Sequence, residues 1–184
     1  LDFDNVHVVG IMNADTMLNF PDFRSYERSF QLMSQVAGRA GRRGQQGLVI
    51  LQTKGVDLPV IHQVVTNNYG QLYADQVEER QLFRYPPFSR LIYIYIKGRD
   101  EMDVVHAAEA MATAMRSCFT ERVLGAESPA VARVHALHIR KIMLKAEPSL
   151  GVSQVRQCLI HIQQSLAEQG LLQKVMLYYD VDPC

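Results

Sequence analysis

Two consecutive prolines, Pro86-Pro87, stand near the middle of the sequence and constrain its fold more than any other feature. Neither can donate a backbone hydrogen bond and each fixes φ, so no helix interior and no central strand can run through them. Tyr85-Pro86-Pro87-Phe88 therefore reads as a stiff linker at a domain boundary. A chain of 184 residues holds one large or two small domains. The patterns on the two sides of the prolines differ, which favours two.

Before the linker the pattern is that of an α/β layer. Val6 to Met12 is a short apolar run that predicts a buried parallel strand. Asn13 to Pro21 reads as a loop, and Asp22 as the N-cap of a long helix. Gly44 to Gly47 ends that helix, and Leu48 to Thr53 returns as a strand. Two helices follow, over Leu58 to Thr66 and Tyr69 to Phe83, the second with Glu78, Glu79 and Arg80 on its polar side. They are expected to connect this layer to whatever follows the prolines.

The long helix carries the most chemically loaded stretch, Gln35-Val36-Ala37-Gly38-Arg39-Ala40-Gly41-Arg42. If the helix runs through it, Gln35, Arg39 and Arg42 share one face, while Phe30, Met33, Ala37 and Ala40 face a core. Gly38 and Gly41 each cost about 1 kcal/mol relative to alanine in a helix. Their presence is explained if a second surface or a ligand approaches closely. Two spaced guanidiniums suit a phosphate, because arginine stays charged and presents forked donors. A solvated helix end, with arginines complementing the dipole, accounts for the same spacing. On the residues alone both readings stay open.

Beyond the prolines the periodicity changes. Ile92, Ile94 and Ile96 alternate with Leu91, Tyr93, Tyr95 and Lys97, the mark of a strand with two distinct faces. Asp100 to Phe119 reads as a helix, Ala130 to Leu137 and Arg140 to Glu147 as two strands, Ser153 to Gln169 as a helix and Lys174 to Val181 as a last strand. That β-α-β-β-α-β order predicts a ferredoxin-like domain, its sheet covered by helices on one face only. Tyr93, Tyr95 and one of Tyr178 or Tyr179 are expected on the other face. Beside them lie Arg133, Arg140, Lys141 and Lys145, with no acidic residue between the first and the last. Such a hairpin is either a DNA phosphate contact or an edge strand guarded by cations. The tyrosines suit base stacking in the manner of an RNA-recognition module. Arg140 to Lys145 lacks the aromatic residues such a module needs, however, so packing against another part of a larger protein is the preferred reading.

Composition narrows the possibilities further. At 48% apolar residues the chain can build a packed core. Its formal net charge is zero, so nucleic acid would have to be held by local patches rather than by an overall field. Cys118, Cys158 and Cys184 are odd in number and far apart, which argues against a disulfide framework or a metal site and fits a reducing cytoplasm. No apolar run approaches a membrane span, and no signal peptide is visible. There is no Gly-x-x-x-x-Gly-Lys-[Ser/Thr] loop and no Asp-Glu pair for magnesium. Whatever the arginines contact, a complete ATP site is not expected within this sequence.

Gln35-x-x-Gly38-Arg39-x-x-Arg42 resembles motif VI of the superfamily 2 helicases. The wider run from Asp22-Phe23-Arg24-Ser25-Tyr26 through Gln31-Leu32-Met33-Ser34 is similar to the PriA family of replication-restart helicases (primosomal protein N′). Asp2-Phe3, Arg84-Tyr85-Pro86-Pro87 and Asp180-Val181-Asp182-Pro183 extend the likeness over essentially the whole chain. The resemblance implies a C-terminal fragment of an ATP-dependent DNA helicase. Residues 1–57 would end the second RecA-like lobe, 58–87 would connect, and 88–184 would form the C-terminal ferredoxin-like domain.

The same resemblance implies Arg39 and Arg42 at the ATP phosphates, with Gln35, Gly38 and Gly41 at the interface. ATP and magnesium would be bound mainly by parts upstream, and zinc would belong to the parent protein only. Implied partners are branched and single-stranded DNA, single-stranded-DNA-binding protein and primosome proteins. The fragment alone is expected to be no competent ATPase. Two alternatives remain at this stage: a different superfamily 2 motor, fork-remodelling or RNA-directed, and a non-motor module that binds nucleic acid or protein.

Overall fold

The computed structural model of the chain describes residues 6–40 and 47–183. It divides into two compact units, Leu1–Leu82 and Phe83–Cys184. Asp2-Phe3, Gly41, Arg42 and Cys184, all singled out in the sequence, lie outside the described residues.

In the first unit, strands β1 (Val8–Ile11) and β2 (Leu48–Leu51) pair in parallel, Val8 opposite Leu48 and Ile11 opposite Leu51. Between them come a short helix α1 (Asp15–Leu18) and the long helix α2 (Ser25–Ala37). After β2 follow α3 (Pro59–Val65) and α4 (Tyr69–Leu82). The core gathers Ala14 and Leu18 with Phe30 and Met33 of α2, Val60 and Ile61 of α3 and Leu72 of α4. The helices expected as a connector are thus part of this packing. Val60 and Ile61 of α3 and Leu72 of α4 bury their side chains with those of α1 and α2.

Two expectations for this unit are corrected. The strand around Val8 is parallel but not buried: Val8 is 57% exposed and its neighbours Leu48 and Ile50 are 56% and 54% exposed. Only two strands pair here among the described residues, and the helices cover one side of them. Second, α2 ends at Ala37 rather than running through the arginines. Gly38 caps it, and beyond it Arg39 N–H bonds to the Val36 carbonyl and Ala40 N–H to that of Ala37, both at 3.1 Å. The chain has tightened to three-residue turns, as a helix end does where glycines weaken the four-residue ladder. Asp22 stands two residues before the cap position, where its Oδ1 accepts from Arg24 N–H at 2.8 Å and its Oδ2 from Arg28 at 3.1 Å.

The second unit is α+β, with an antiparallel sheet. Its elements are β3 (Arg90–Gly98), α5 (Glu101–Phe119), a single 3-10 turn, β4 (Val123–Glu127), the two-residue β5 (Arg133–Val134), β6 (Leu137–Ala146), α6 (Val152–Glu168) and β7 (Val175–Val181). The strands lie in the order β4-β6-β3-β7, with β5 paired to β6 alone. Asp100 caps α5 by accepting from Asp103 N–H at 3.0 Å. Ile92, Ile94 and Ile96 point to α5 and α6, where they meet Val104, Met111, Leu159 and Ile162.

The strand expected over Ala130 to Leu137 is a correction. Only Arg133 and Val134 pair there, closing on β6 through His135 and Ala136, both at positive φ. The strand that takes the sheet edge is β4, at Val123–Glu127. Its sequence Val-Leu-Gly-Ala-Glu shows no alternation, and Gly125, at φ +95°, reads as a turn. What makes it a strand is pairing with β6, Val123 opposite Leu144 and Glu127 opposite Lys141.

Candidate functional site

The first unit offers the end of α2. Phe30 and Met33 anchor the helix in the core, which turns Gln35 and, beyond the helix end, Arg39 outward; Gln35, Gly38 and Arg39 are all exposed. Gln35 and Arg39 are therefore presented together, and Arg42 falls outside the described residues. A Cβ built on Gly38 would meet nothing closer than the Ser34 carbonyl at 3.4 Å, an ordinary contact. No described side chain of this unit requires a glycine there. Elsewhere in this unit, Asp15 ties α1 to the loop after β2, accepting from Thr53 Oγ1 at 2.8 Å and Lys54 N–H at 3.0 Å. The Lys54 N–H and then the Thr53 hydroxyl hold its carboxyl below the usual range. Sequence reading missed this clamp, because its two ends lie almost forty residues apart.

The second unit places the four expected basic residues in four different settings. Arg133 is exposed on β5. Arg140 reaches Glu101 at the start of α5, 3.3 Å away, and also bonds Ser128 Oγ. Lys141 pairs with Glu127 of β4 at 3.1 Å. Lys145 donates to the Phe83 carbonyl at 2.7 Å and lies 3.7 Å from the centre of the Tyr85 ring. Burial, and then the Arg84 charge, push its ammonium below the ordinary lysine range. The absence of acids along Arg133 to Lys145 does not make a bare basic stripe, since α5 and β4 supply carboxylates from elsewhere.

The tyrosines assemble instead. Tyr95 stacks on Tyr178 across β3 and β7, centroids 4.9 Å apart and planes 14° apart. Tyr93 meets Tyr95 edge-on at 6.2 Å. Lys97 places its ammonium 4.6 Å from the Tyr178 centroid, and Lys141 lies 5.0 Å from that of Tyr93. Tyr178, and not Tyr179, is the third ring on this face. Tyr179 points to the helices, where its hydroxyl donates to Gln163 Oε1 at 3.1 Å and burial pushes its phenol up to about 12. Lys97, read from the sequence only as part of the strand's alternation, joins the rings here. Its signal was the period of two that places it on the same face as Tyr93 and Tyr95.

A cavity of about 710 Å³ opens elsewhere in this unit, lined chiefly by apolar groups such as Pro86, Pro87, Ile92, Leu159 and Ile160. Its size suits a few apolar side chains or one small molecule. Among the described residues no cluster of three or more His, Cys, Asp or Glu could hold a metal ion, and no helix is long and apolar enough to cross a membrane.

Residues 81–184 match the family described as primosomal protein N C-terminal domain. The chain is 35% identical over 147 residues to the replication restart protein PriA of Synechocystis sp., which is 79% of this chain and 18% of that protein. It is 40% identical over 156 residues to the protein of that name in Treponema pallidum, 83% of this chain and 23% of that one. Against the Bacillus subtilis protein of that name the identity is 31% over 186 residues, covering 100% of this chain and 23% of the relative. The chain thus spans about a fifth of the length of the curated relatives it matches.

Proposed function

The chain belongs to the family of the primosomal protein N C-terminal domain, and we propose on that premise that it is the carboxyl-terminal part of an ATP-dependent DNA helicase acting in replication restart. In this reading the first unit ends the second RecA-like lobe, with α2 crossing between the parallel strands β1 and β2. The second unit is a ferredoxin-like domain; its order β4-β6-β3-β7, with two helices on one face, supports that reading. The whole protein recognises branched DNA at stalled forks, unwinds it and meets single-stranded-DNA-binding protein and the primosome.

One observation carries the motor assignment. Gln35, Gly38 and Arg39 of the motif stand at the end of a helix whose other face is buried, so the described part of the motif turns away from its own core. Arg39 and Arg42 then reach the transferring phosphoryl group of an ATP whose phosphate loop and magnesium carboxylates lie upstream. Gln35 orders the interface, and Gly38 and Gly41 leave room for the facing lobe. Among the described residues of the first unit none crowds Gly38.

The test is ATP turnover by the full-length parent carrying Arg39→Ala or Arg42→Ala. Arginine contacts of this kind are worth about 10³ or more in rate. That loss is expected in each variant, with folding retained because the face is not part of the core. Activity in both variants within a factor of about three of the parent, far below that value, would refute the assignment. The 184-residue chain itself, lacking the phosphate loop, is expected to show no turnover.

A further inference from the structure

We propose that Cys118 and Cys158 of the second unit are a redox-sensitive pair, which hydrogen peroxide converts into a disulfide tying α5 to α6. Neither residue belongs to the site assigned to the motor, so the two readings are tested apart.

Forty positions separate these cysteines in the sequence, and the fold brings their sulfurs together. Helices α5 and α6 lie side by side over the isoleucine face of β3, sharing one core through Met111, Met115, Leu159 and Ile162. Ala110 and Ala114 put small side chains on α5 at the margin of that core, and Cys118 continues their row one turn on. On α6 the margin is held by Cys158, which is partly buried beside Leu159. There the Cys158 S–H donates to the Cys118 sulfur. Side chains converging from two packed helices make the approach that a disulfide needs.

Exposure and protonation give each sulfur its part. Cys118 is exposed, so its sulfur is the one that a peroxide in solution meets. Burial, and then the hydrogen bond to Cys118, push the Cys158 thiol up to about 11, so near neutral pH it keeps its proton. Attack by the Cys118 thiolate forms an S–O bond and breaks the O–O bond, leaving a sulfenic acid. The departing hydroxide takes up a proton and becomes water. The Cys158 sulfur then attacks the Cys118 sulfur, so that an S–S bond forms and the S–O bond breaks. The second hydroxide carries off the Cys158 proton as water. Two thiols have given up two electrons, and the peroxide has accepted them. Where thiols are restored, such a link is transient and reports oxidation rather than maintaining the fold.

The experiment treats the 184-residue chain with hydrogen peroxide and analyses its tryptic peptides by mass spectrometry without reduction. Cleavage after Arg116, Arg122, Arg156 and Lys174 places Cys118 in residues 117–122 and Cys158 in residues 157–174. Cys184 falls in a third peptide. The first two should appear joined, lighter than their sum by two hydrogens, and dithiothreitol should separate them. Neither contains methionine, so added oxygen there would report cysteine oxidation without a link. In Cys158→Ser the sulfenic acid should persist at Cys118 and be captured by dimedone, whereas Cys118→Ser should give no link. Closing a loop of this length constrains the unfolded chain strongly, so the oxidised chain should melt at least about 8 °C above the same sample after dithiothreitol.

Oxygen added at Cys118 of the unaltered chain without a link, or a link made chiefly to Cys184, would overturn the pair. So would capture of a sulfenic acid at Cys158 in Cys118→Ser with none at Cys118 in Cys158→Ser. An oxidised chain that melts no higher than the reduced one would do the same.

Discussion

Replacing Tyr179 with phenylalanine removes one hydroxyl and keeps the ring, and the size of its effect depends on pH in a way the structure sets. The hydroxyl donates to Gln163 Oε1 at 3.1 Å, tying β7 to α6. Near neutral pH the loss of that bond should cost about 1 kcal/mol, the usual net value. Burial pushes the phenol up to about 12, whereas in the unfolded chain it titrates near 10. The folded pKa is the higher one, so the hydroxyl's contribution is complete below about pH 10 and is lost as pH rises toward the folded value. At about pH 11 the unfolded phenol is about nine-tenths ionised and the folded one about one-tenth, a difference worth up to ~1.4 kcal/mol.

The ring is only partly buried, so solvent screening reduces this to about half, ~0.7 kcal/mol. Phenylalanine carries no such penalty. The advantage of the unaltered chain should therefore shrink from about 1 kcal/mol near pH 8 to about 0.3 kcal/mol near pH 11. Urea unfolding of the two chains at both pH values, followed by circular dichroism, measures it. The remaining tyrosines and all lysines cancel in the comparison. A gap of the same size at both pH values would refute burial of this phenol.

Two further outcomes test the sheet. At Gly125, which has φ +95°, an added Cβ would sit 2.7 Å from the Lys141 carbonyl. Gly125→Ala should therefore cost about 2 kcal/mol or more and lower the melting temperature by roughly 8 °C; a change of about one degree would contradict the β4–β6 pairing. Lys145→Ala removes the bond to the Phe83 carbonyl and the contact with Tyr85, and should cost about 1–2 kcal/mol in denaturant unfolding, against about 0.5 kcal/mol for an ordinary surface change. A value under about 0.5 kcal/mol would return Lys145 to the status of a solvated cation.

The sequence by itself determined what depends on neighbours along the chain. Pro86-Pro87 marked where the pattern along the chain changes. The alternation from Ile92 to Lys97 placed isoleucines on one face of β3 and tyrosines on the other, because side chains on a strand alternate whatever lies around them. The Gln35-to-Arg42 spacing carried the family likeness, since a motif is a local string.

Only the tertiary structure decided which distant groups meet. Val123–Glu127 is a strand because β6 lies beside it, not because its residues alternate. Arg140 finds Glu101 across 39 residues and Lys141 finds Glu127, so two of the four cations in a stretch that reads as uniformly basic meet carboxylates, while Lys145 reaches the Phe83 carbonyl across 62. Whether Tyr178 or Tyr179 joins the aromatic face follows from the register of β7 on β3, where a slip of one residue would exchange them. Periodicity is set by backbone geometry and survives in any context. Pairing, burial and charge compensation are set by which elements pack together, and the linear order of residues does not contain that choice in any local window.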